Sequence, residues 1–158
     1  MAIKRFFATK DNTISNAFKE GLTLRATGSN MGLSDILEVF SIYAQASTGS
    51  SELARGLVEF NTDDIAASRS AGTIPESGSV DFYLKMFDAA HEQSTPRDFT
   101  LTVAAVSRSW TEGTGLDMVN YSDEGVSNWI SASQGTAWTY EGGDYLTGSS
   151  TWGGPAMW

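Results

Sequence analysis

The sequence contains no cysteine and only one histidine, His91, and this removes several classes of function. Without thiols, a disulfide framework, a zinc ribbon, an iron–sulfur site and a cysteine nucleophile are excluded. One histidine does not build a multi-histidine metal site, so imidazole catalysis would depend on His91 alone. His91 lies in a polar stretch and the chain has no Gly-x-Ser-x-Gly motif. We therefore predict that His91 is an exposed loop residue and that the protein is not an enzyme.

Positive charge is also scarce. The 158 residues include 10 Lys and Arg against 19 Asp and Glu, a net charge of −9 that argues against nucleic-acid binding. Residues 1–25 reverse the sign, with five basic and two acidic residues, whereas residues 26–158 carry five basic and 17 acidic ones. Oppositely charged arm and body suit contact between like subunits, although scatter over so few charges gives the same pattern.

Long apolar runs are missing as well. No run approaches the roughly 18 residues of a membrane span, and residues 1–10 lack the apolar region of a signal peptide. We therefore expect no membrane partner. The lack of cysteine fits a cytosolic protein and equally an extracellular or virion protein. A virion protein would leave the cell when lysis releases the particle.

What the sequence does have is short apolar runs separated by Gly, Ser, Thr and Asn, a pattern typical of β structure. Residues 54–60, 80–87 and 99–106 alternate most clearly and predict three half-buried strands. Alternation should place matching faces toward one interior between two sheets. The side chains predicted to fill it are Val58, Phe60, Phe82, Leu84, Leu101 and Val103.

Other segments give weaker signals. Residues 36–43 are apolar on both faces and predict a more buried strand, while residues 6–7 and 14–18 suggest one or two strands near the start. A short helix is predicted over residues 61–69, with Thr62 or Asp63 as N-cap and its end at Gly72. Residues 123–133 could hold a second helical turn.

These elements predict an all-β domain with one or two short helical turns in its loops. We expect three parts in the chain. Residues 1–25 form an arm with the first strand or strands, residues 26–145 form the sandwich, and residues 146–158 form a tail rich in Gly and Trp.

The last third of the chain contains acidic and aromatic residues of types that bind metals or ligands. Its six acidic residues could hold Ca²⁺ or act as a glycosidase pair, but they follow no calcium-loop spacing. Solvated surface acids are therefore favoured, and we predict no metal ligand and no cofactor. All five tryptophans follow residue 109. Three roles stay open for these rings: filling the core, anchoring a protein interface, or stacking on sugars.

One ordered set of motifs resembles a known family, the DNRLRE-type domain. The carriers are Arg-Gly-Leu-Val-Glu-Phe at 55–60, Trp-Thr-Glu-Gly-Thr-Gly at 110–115, Asn-Trp at 128–129, Thr-Ala-Trp at 136–138 and Gly-Gly at 142–143. The resemblance covers residues 30–144. It implies that the all-β domain is an antiparallel jelly-roll-like β-sandwich, as found in secreted surface proteins, beside carbohydrate-active modules and in phage virions. The opening residues look like those of marine tailed-phage (cyanophage-like) structural proteins.

The family resemblance implies structural roles for a set of motif residues: Arg55, Phe60, Trp110, Glu112, Gly113, Trp129 and Trp138. We expect Trp110 to be buried, Glu112 to hydrogen-bond in the loop after it, and Arg55 or Arg108 to pair with a late acid. Family members usually continue with further strands after the Gly-Gly. A neighbouring chain would then cover an open edge, or the chain is part of a longer product.

The resulting expectation is a non-enzymatic structural subunit of a phage virion, as a head decoration (cement), neck or tail component. Its partners would be other virion proteins and copies of itself. The alternative is a carbohydrate-binding adhesin module of a fibre or secreted protein, with a glycan as partner. The residues expected to contact other chains lie near the two ends: Lys4, Arg5, Lys10, Tyr145, Trp152 and Trp158.

Overall fold

The computed structural model describes residues 3–76, 78–90, 98–116, 121–123 and 125–146. Its regular structure is mostly β, in antiparallel sheets of three and two strands, with one short helix. This confirms the predicted class at that level, while the jelly-roll-like sandwich and the division at residues 25 and 145 stay predictions. The elements are β1 (Ala8–Ser15), β2 (Phe40–Tyr43), β3 (Ser51–Phe60), α1 (Thr62–Ser70), β4 (Ser131–Ser133) and β5 (Thr136–Ala137).

The larger sheet has the order β1-β3-β2, so the predicted strand at residues 54–60 is its centre. β1 pairs with β3 from Ala8 opposite Phe60 to Ser15 opposite Ala54. β2 pairs with the first part of β3, up to Phe40 opposite Ala54. β1 therefore joins the first residues of the chain to the body of the fold.

The face of β3 that was predicted to point inward is buried at Ala54, but the core cluster lies against the opposite face. Antiparallel partners share a face of the sheet, and Asn12 lies opposite Leu57 while Ile14 lies opposite Arg55. Ile14 and Leu57 are buried in the core cluster, whereas Val58 on the other face is only half-buried. The strand itself was predicted correctly. The choice of face failed because Leu57 had been left out of the alternation, and β3 is apolar on both sides.

The core is built around tryptophan. Trp110, Trp129 and Trp138 are each 5% exposed and occupy one cluster. Core filling, one of the three roles left open for these rings, is therefore the role of these three. The cluster consists of Ile14, Leu57, Trp110, Trp129, Ala132 and Trp138, with Leu53 and Val106 packed against it.

Two predicted strands are not formed. Residues 80–87 and 99–105 are irregular, and in the described part of the chain Val106 makes only an isolated bridge with Tyr145. The predicted interior is therefore wrong for these segments, because side chains without a paired backbone cannot be held on one face. Their exposed members include Phe82, Leu84, Leu101 and Val103.

The prediction of a buried strand over residues 36–43 is also wrong. Only Phe40–Tyr43 is a strand, and Ile42 and Tyr43 are exposed. β2 is an edge strand, and among the elements of the described residues it contacts only β3. An apolar run therefore marked an edge rather than a core strand.

The helix is confirmed, with its cap one residue earlier than predicted. The Asn61 side chain accepts a hydrogen bond from the Asp63 backbone N–H at 3.0 Å. Asp63 in the first turn and Arg69 in the last suit the helix dipole. Gly72, with φ +67°, follows the end of the helix as expected.

The weaker sequence signals had mixed outcomes. The second helical turn expected over residues 123–133 is absent from the described residues of that range, which bend and then enter β4. Residues 6–7 are irregular, and the strand that was expected to begin at residue 14 instead ends at Ser15. Beyond it, Phe18 makes an isolated bridge with Arg25.

Candidate functional site

Trp110 anchors the Trp-Thr-Glu-Gly element to β1 and β4. The Thr111 N–H donates to the Ala132 carbonyl at 3.0 Å. The Lys10 Nζ donates a hydrogen bond to the Trp110 carbonyl at 3.1 Å and lies 5.1 Å from the centre of the Trp110 ring. The same ammonium forms a 2.9 Å ion pair with Glu59. Lys10, expected to contact other chains, is thus engaged within its own chain.

The two glycines of the element sit against the Asn30 segment. The Asn30 Oδ1 accepts the Gly115 N–H at 2.8 Å, and the Leu33 N–H donates to the Gly115 carbonyl at 3.1 Å. A Cβ on Gly113 would overlap the Asn30 side chain, and one on Gly115 would overlap the Asn30 carbonyl. Only glycine allows this approach, so the motif has a packing role at these positions.

Glu112 contacts β1, a partner that the sequence did not indicate. Its Oε1 accepts the Asp11 backbone N–H at 3.1 Å. The expected bond within the loop after Glu112 stays a prediction, because residues 117–120 of that loop lie outside the described residues. Burial raises the pKa of the Asp11 carboxyl, and the negative charge of Glu112 raises it further. The two acids therefore lie close enough to interact, at the junction of β1 with the Trp-Thr-Glu-Gly element.

Arg55 lies between two aromatic rings. Its guanidinium carbon is 5.0 Å from the centre of the Trp129 ring and 5.1 Å from that of Tyr145, and its Nη1 donates to the Gly142 carbonyl at 2.6 Å. Gly142 has φ +86°, and a Cβ there would press on Arg55 and Trp129. Cation–π contact thus brings together three of the sequence motifs. They are represented here by Arg55 of β3, Trp129 and Gly142.

The Asn-Trp pair forms the turn that leads into β4. The Asn128 Oδ1 accepts the N–H groups of Ile130 and Ser131 at 2.9 and 2.8 Å. The Asn128 carbonyl accepts the indole N–H of Trp138 at 2.9 Å, which satisfies that buried donor. Asn128 therefore connects two of the three core tryptophans.

Asp144 organises the turn that follows Trp138. It accepts the N–H groups of Thr139 and Tyr140 at 3.1 and 3.0 Å, the Thr139 hydroxyl at 2.9 Å, and the Arg108 Nε. Burial alone would raise the pKa of Asp144, but the bonds from Thr139, Arg108 and Tyr140 outweigh it and hold the pKa well below its usual range. The ion pair with Arg108 confirms the predicted pairing of an arginine with a late acid.

An open cleft of about 430 Å³ lies over this turn. Tyr140 is 74% exposed beside it, and the Arg108 Nη2 donates to the Thr139 hydroxyl at 2.9 Å. The cleft offers aromatic surface, hydroxyls and a fixed guanidinium. Its lining consists of Ser107, Arg108, Thr139, Tyr140, Asp144 and Tyr145.

A second open cleft, of about 610 Å³, lies where β1 and β3 meet the start of α1. Phe60, the last residue of β3, is half-buried beside it. Lys10 and Glu59 also line this cleft, and their charges are paired with each other. The charges of Lys10 and Glu59 therefore stabilise the junction of β1 and β3.

Asn12 and Glu52 are among the buried polar residues that sequence reasoning missed. The Asn12 Nδ2 donates to the Ser127 carbonyl and hydroxyl at 3.1 and 2.9 Å, and its Oδ1 accepts the Met31 N–H at 2.9 Å. Glu52 accepts the Phe18 N–H at 2.7 Å and is almost fully buried. Burial, with the nearby charges of Glu38 and Glu52, raises the pKa of the Tyr121 hydroxyl. The sequence offered one signal for Asn12. It lies two residues from the apolar Ile14, so the two side chains share a face of a strand.

The remaining predicted contact residues have varied positions. Lys4 and Arg5 are exposed in the irregular start of the chain, and the Lys4 Nζ lies 5.9 Å from the centre of the Phe6 ring. Tyr145 contacts Arg55 and lines the smaller cleft. Trp152 and Trp158 lie outside the described residues, as do His91 and the acids Asp117 and Glu124.

In the part of the chain that the structure describes, no three His, Cys, Asp or Glu residues are grouped so that they could hold a metal ion. No helix of these described ranges is long and apolar enough to cross a membrane. Comparison of the chain with models of protein families, with curated proteins and with solved structures finds no match.

Proposed function

We propose that the protein is a non-enzymatic structural subunit that works through protein–protein contacts. The observation that carries the proposal is the apolar surface of residues 80–87 and 99–103. Large apolar groups exposed over successive residues are costly in water and mark interaction sites. The exposed side chains are Phe82, Tyr83, Leu84, Met86, Phe87, Phe99, Leu101 and Val103.

The motif residues support the same proposal. The rings of Trp110, Trp129 and Trp138 fill the core, Gly113 fits against Asn30, and Arg55 is stacked between rings. Each is used for packing rather than presented to a ligand. This use accords with membership of the DNRLRE-type family and with a jelly-roll-like β-sandwich, both of which we propose from the ordered motifs.

The assembly that we propose is a phage virion, in which the chain serves as a head decoration, neck or tail component. The ground is the resemblance of the opening residues to marine tailed-phage structural proteins. Its partners would be other virion proteins and further copies of itself, with neither nucleic acid nor membrane among them. The protein would be made in the host cytoplasm and act in the particle.

The test is to locate the chain in purified particles. Mass spectrometry should find it at a fixed ratio to the major capsid or tail protein, and cryo-electron microscopy should place its density at repeated positions. Absence of the chain from particles that carry every other structural protein would contradict the proposal.

A second function, glycan binding, is favoured by the smaller cleft. Exposed aromatic rings beside fixed hydrogen-bond donors are the means by which proteins hold sugars, and Tyr140, Tyr145 and Arg108 offer them there. Glycan-array binding that is lost in Tyr140→Ala and kept in Tyr43→Ala, an exposed tyrosine outside the cleft, would support this function. An array without binding would remove it.

A further inference from the structure

A short antiparallel contact joins the end of the segment 99–106 to the last described residues of the chain. Val106 forms an antiparallel bridge with Tyr145. On one side of this bridge the Leu146 N–H donates to the Ala105 carbonyl at 2.9 Å, and on the other side the neighbouring residues share a second backbone bond, of 2.8 Å. The bridge and its two bonds fix both the direction and the register of the two segments.

The backbone edge that leads away from this contact is open. Residues 99–104 alternate Phe, Leu and Val with Thr, Thr and Ala, which is the period of a pleated strand. These residues are exposed, and they make no backbone–backbone hydrogen bond with another described residue. Their N–H and C=O groups therefore offer a template to which a strand can be added.

The chain that follows Leu146 starts at this open edge. In an antiparallel pair, each step forward on one strand lies opposite one step back on the other. Because Leu146 already contacts Ala105, the residues that come next reach the edge without closing a new loop. The pairs that continue the observed register are Ala104–Thr147, Val103–Gly148, Thr102–Ser149, Leu101–Ser150, Thr100–Thr151 and Phe99–Trp152.

We propose that residues 147–152 add as a strand to the edge of residues 99–104 in the same chain. Hydroxyl side chains support this pairing on one face of the two strands. Thr100 lies opposite Thr151 in the observed register, and cross-strand threonine pairs are stabilising. The inference goes beyond the proposed function, because it concerns a contact within one chain and does not depend on the assembly that the chain enters.

Aromatic side chains support the pairing on the other face. The register brings the Trp152 ring beside Phe99, whose side chain is 65% exposed in the described structure. A cross-strand pair of aromatic rings removes apolar surface from water. The residues opposite Leu101 and Val103 are a serine and a glycine, so these two apolar side chains stay available for contact with other chains.

Hydrogen exchange followed by NMR on the full chain tests the pairing residue by residue. The observed bonds point the odd-numbered amides of the segment 99–107 toward the added strand. The amides of Leu101 and Val103 should therefore be protected, whereas those of Thr100 and Thr102 should exchange freely. Because the contact lies within one chain, the protection should be the same at low and at high protein concentration.

Two adjacent serines provide a matched pair of proline variants. In the proposed register the Ser150 N–H donates to the Leu101 carbonyl, whereas the Ser149 N–H points away from residues 99–104. Ser150→Pro removes a ladder bond, so it should lower the protection of Leu101 by about tenfold or more. Ser149→Pro is the control and should leave that protection nearly unchanged, because proline is tolerated where the N–H of an edge strand faces solvent.

Four results would overturn the inference. Free exchange of the Leu101 amide would show that the edge stays open. Protection of Thr100 in place of Leu101 would put the added strand on the opposite edge. Protection that appears only at high concentration would assign the added strand to another copy of the chain. Equal effects of Ser149→Pro and Ser150→Pro would show that the register is wrong.

Discussion

At the scale of single residues, the fold depends on a few polar groups that join distant parts of the chain. Asn12 is the clearest, since one buried amide contacts both Ser127 and Met31. Both polar atoms of the Asn12 side chain have hydrogen-bond partners. The side chain therefore stabilises this packing of β1 against the segments of Ser127 and Met31. A substitution of Asn12 should therefore lower the free energy of unfolding, because it leaves buried backbone groups without hydrogen-bond partners.

Asn12→Ala should lower the free energy of unfolding by about 1–3 kcal/mol. The substitution leaves the Met31 N–H and the Ser127 carbonyl without their partner in a buried place. Urea denaturation followed by circular dichroism measures the change. Thr9→Ala, an exposed position on the same strand, is the control and should stay within about 0.5 kcal/mol. Equal effects at the two positions would contradict the role of Asn12.

Gly113→Ala should be destabilising by about 1–3 kcal/mol, because the added methyl group meets the Asn30 side chain. Gly49→Ala is the matched control, since nothing lies within 4 Å of its Cβ position and alanine restricts the unfolded chain. The control should be neutral or slightly stabilising. Thermal unfolding of the pair checks this, and a neutral Gly113→Ala would show that the close approach is absent.

Asp144→Asn should change the pH dependence of stability. The native pKa of Asp144 lies below its ordinary value, so its contribution is complete above the unfolded pKa of about 3.9 and is lost as pH falls further. Unfolding measured from pH 7 to pH 2 should therefore show a wild-type advantage that is constant above about pH 5 and shrinks below pH 4. Asp98→Asn, at an exposed position, should show no such gap. A gap that keeps the same size from pH 7 to pH 2 would contradict the assignment.

At the scale of elements, the sequence predicted what depends on local pattern. α1 was found because the charges at its two ends are local signals, and β3 because its apolar residues form a short run between turn-forming residues. The face of β3 was not found, since the Trp110 and Trp129 rings that cover it come more than 50 residues later. Residues 80–87 show the same limit, because alternation gives strand tendency while pairing depends on a distant partner.

The site divides in the same way. Burial of Trp110 and an arginine paired with a late acid were predicted from residue type and position. The contact of Glu112 with Asp11 could not be, since it joins residues 101 positions apart whose adjacency exists only once β1 is paired. The Asn30 contact with Gly115 joins residues 85 apart and was missed for the same reason.

One pair of substitutions distinguishes the two candidate interiors. Leu57→Ala should cost about 2–5 kcal/mol, because the side chain is 5% exposed and lies in the tryptophan cluster. Leu101→Ala, at a side chain 43% exposed, should cost within about 0.5 kcal/mol. Chemical denaturation of both variants measures the difference. A large loss at Leu101 with a small one at Leu57 would restore the interior predicted from alternation.

At the scale of the whole molecule, both ends of the chain carry features suited to contacts with other chains. Lys4 and Arg5 are exposed cations on a chain whose net charge is −9. The tail beyond Leu146 combines Gly and Ser with Trp152 and Trp158. Large rings in such a tail favour burial against a partner.

Deleting residues 147–158 should leave a folded protein that no longer enters particles. The deletion keeps Leu146, whose N–H donates to the Ala105 carbonyl at 2.9 Å, and all of the tryptophan cluster. Thermal unfolding checks the fold, and particle composition checks incorporation. The double variant Trp152→Ala with Trp158→Ala separates the rings from the length of the tail. Normal incorporation of the deleted chain would contradict the prediction.

The core cluster, which joins Ile14 to Trp138, also sets the order of events during synthesis. More than a hundred residues separate these two side chains. At roughly 5–20 residues per second, the ribosome needs on the order of ten seconds to add the tryptophans that pack on Ile14. Residues 80–87 are also synthesised before Trp138, so these apolar residues exist for part of that interval without a completed core beside them. Nascent chains on neighbouring ribosomes then meet with these segments bare. Slowing translation should therefore increase aggregation of this protein, whereas binding of the segment by a chaperone should reduce it.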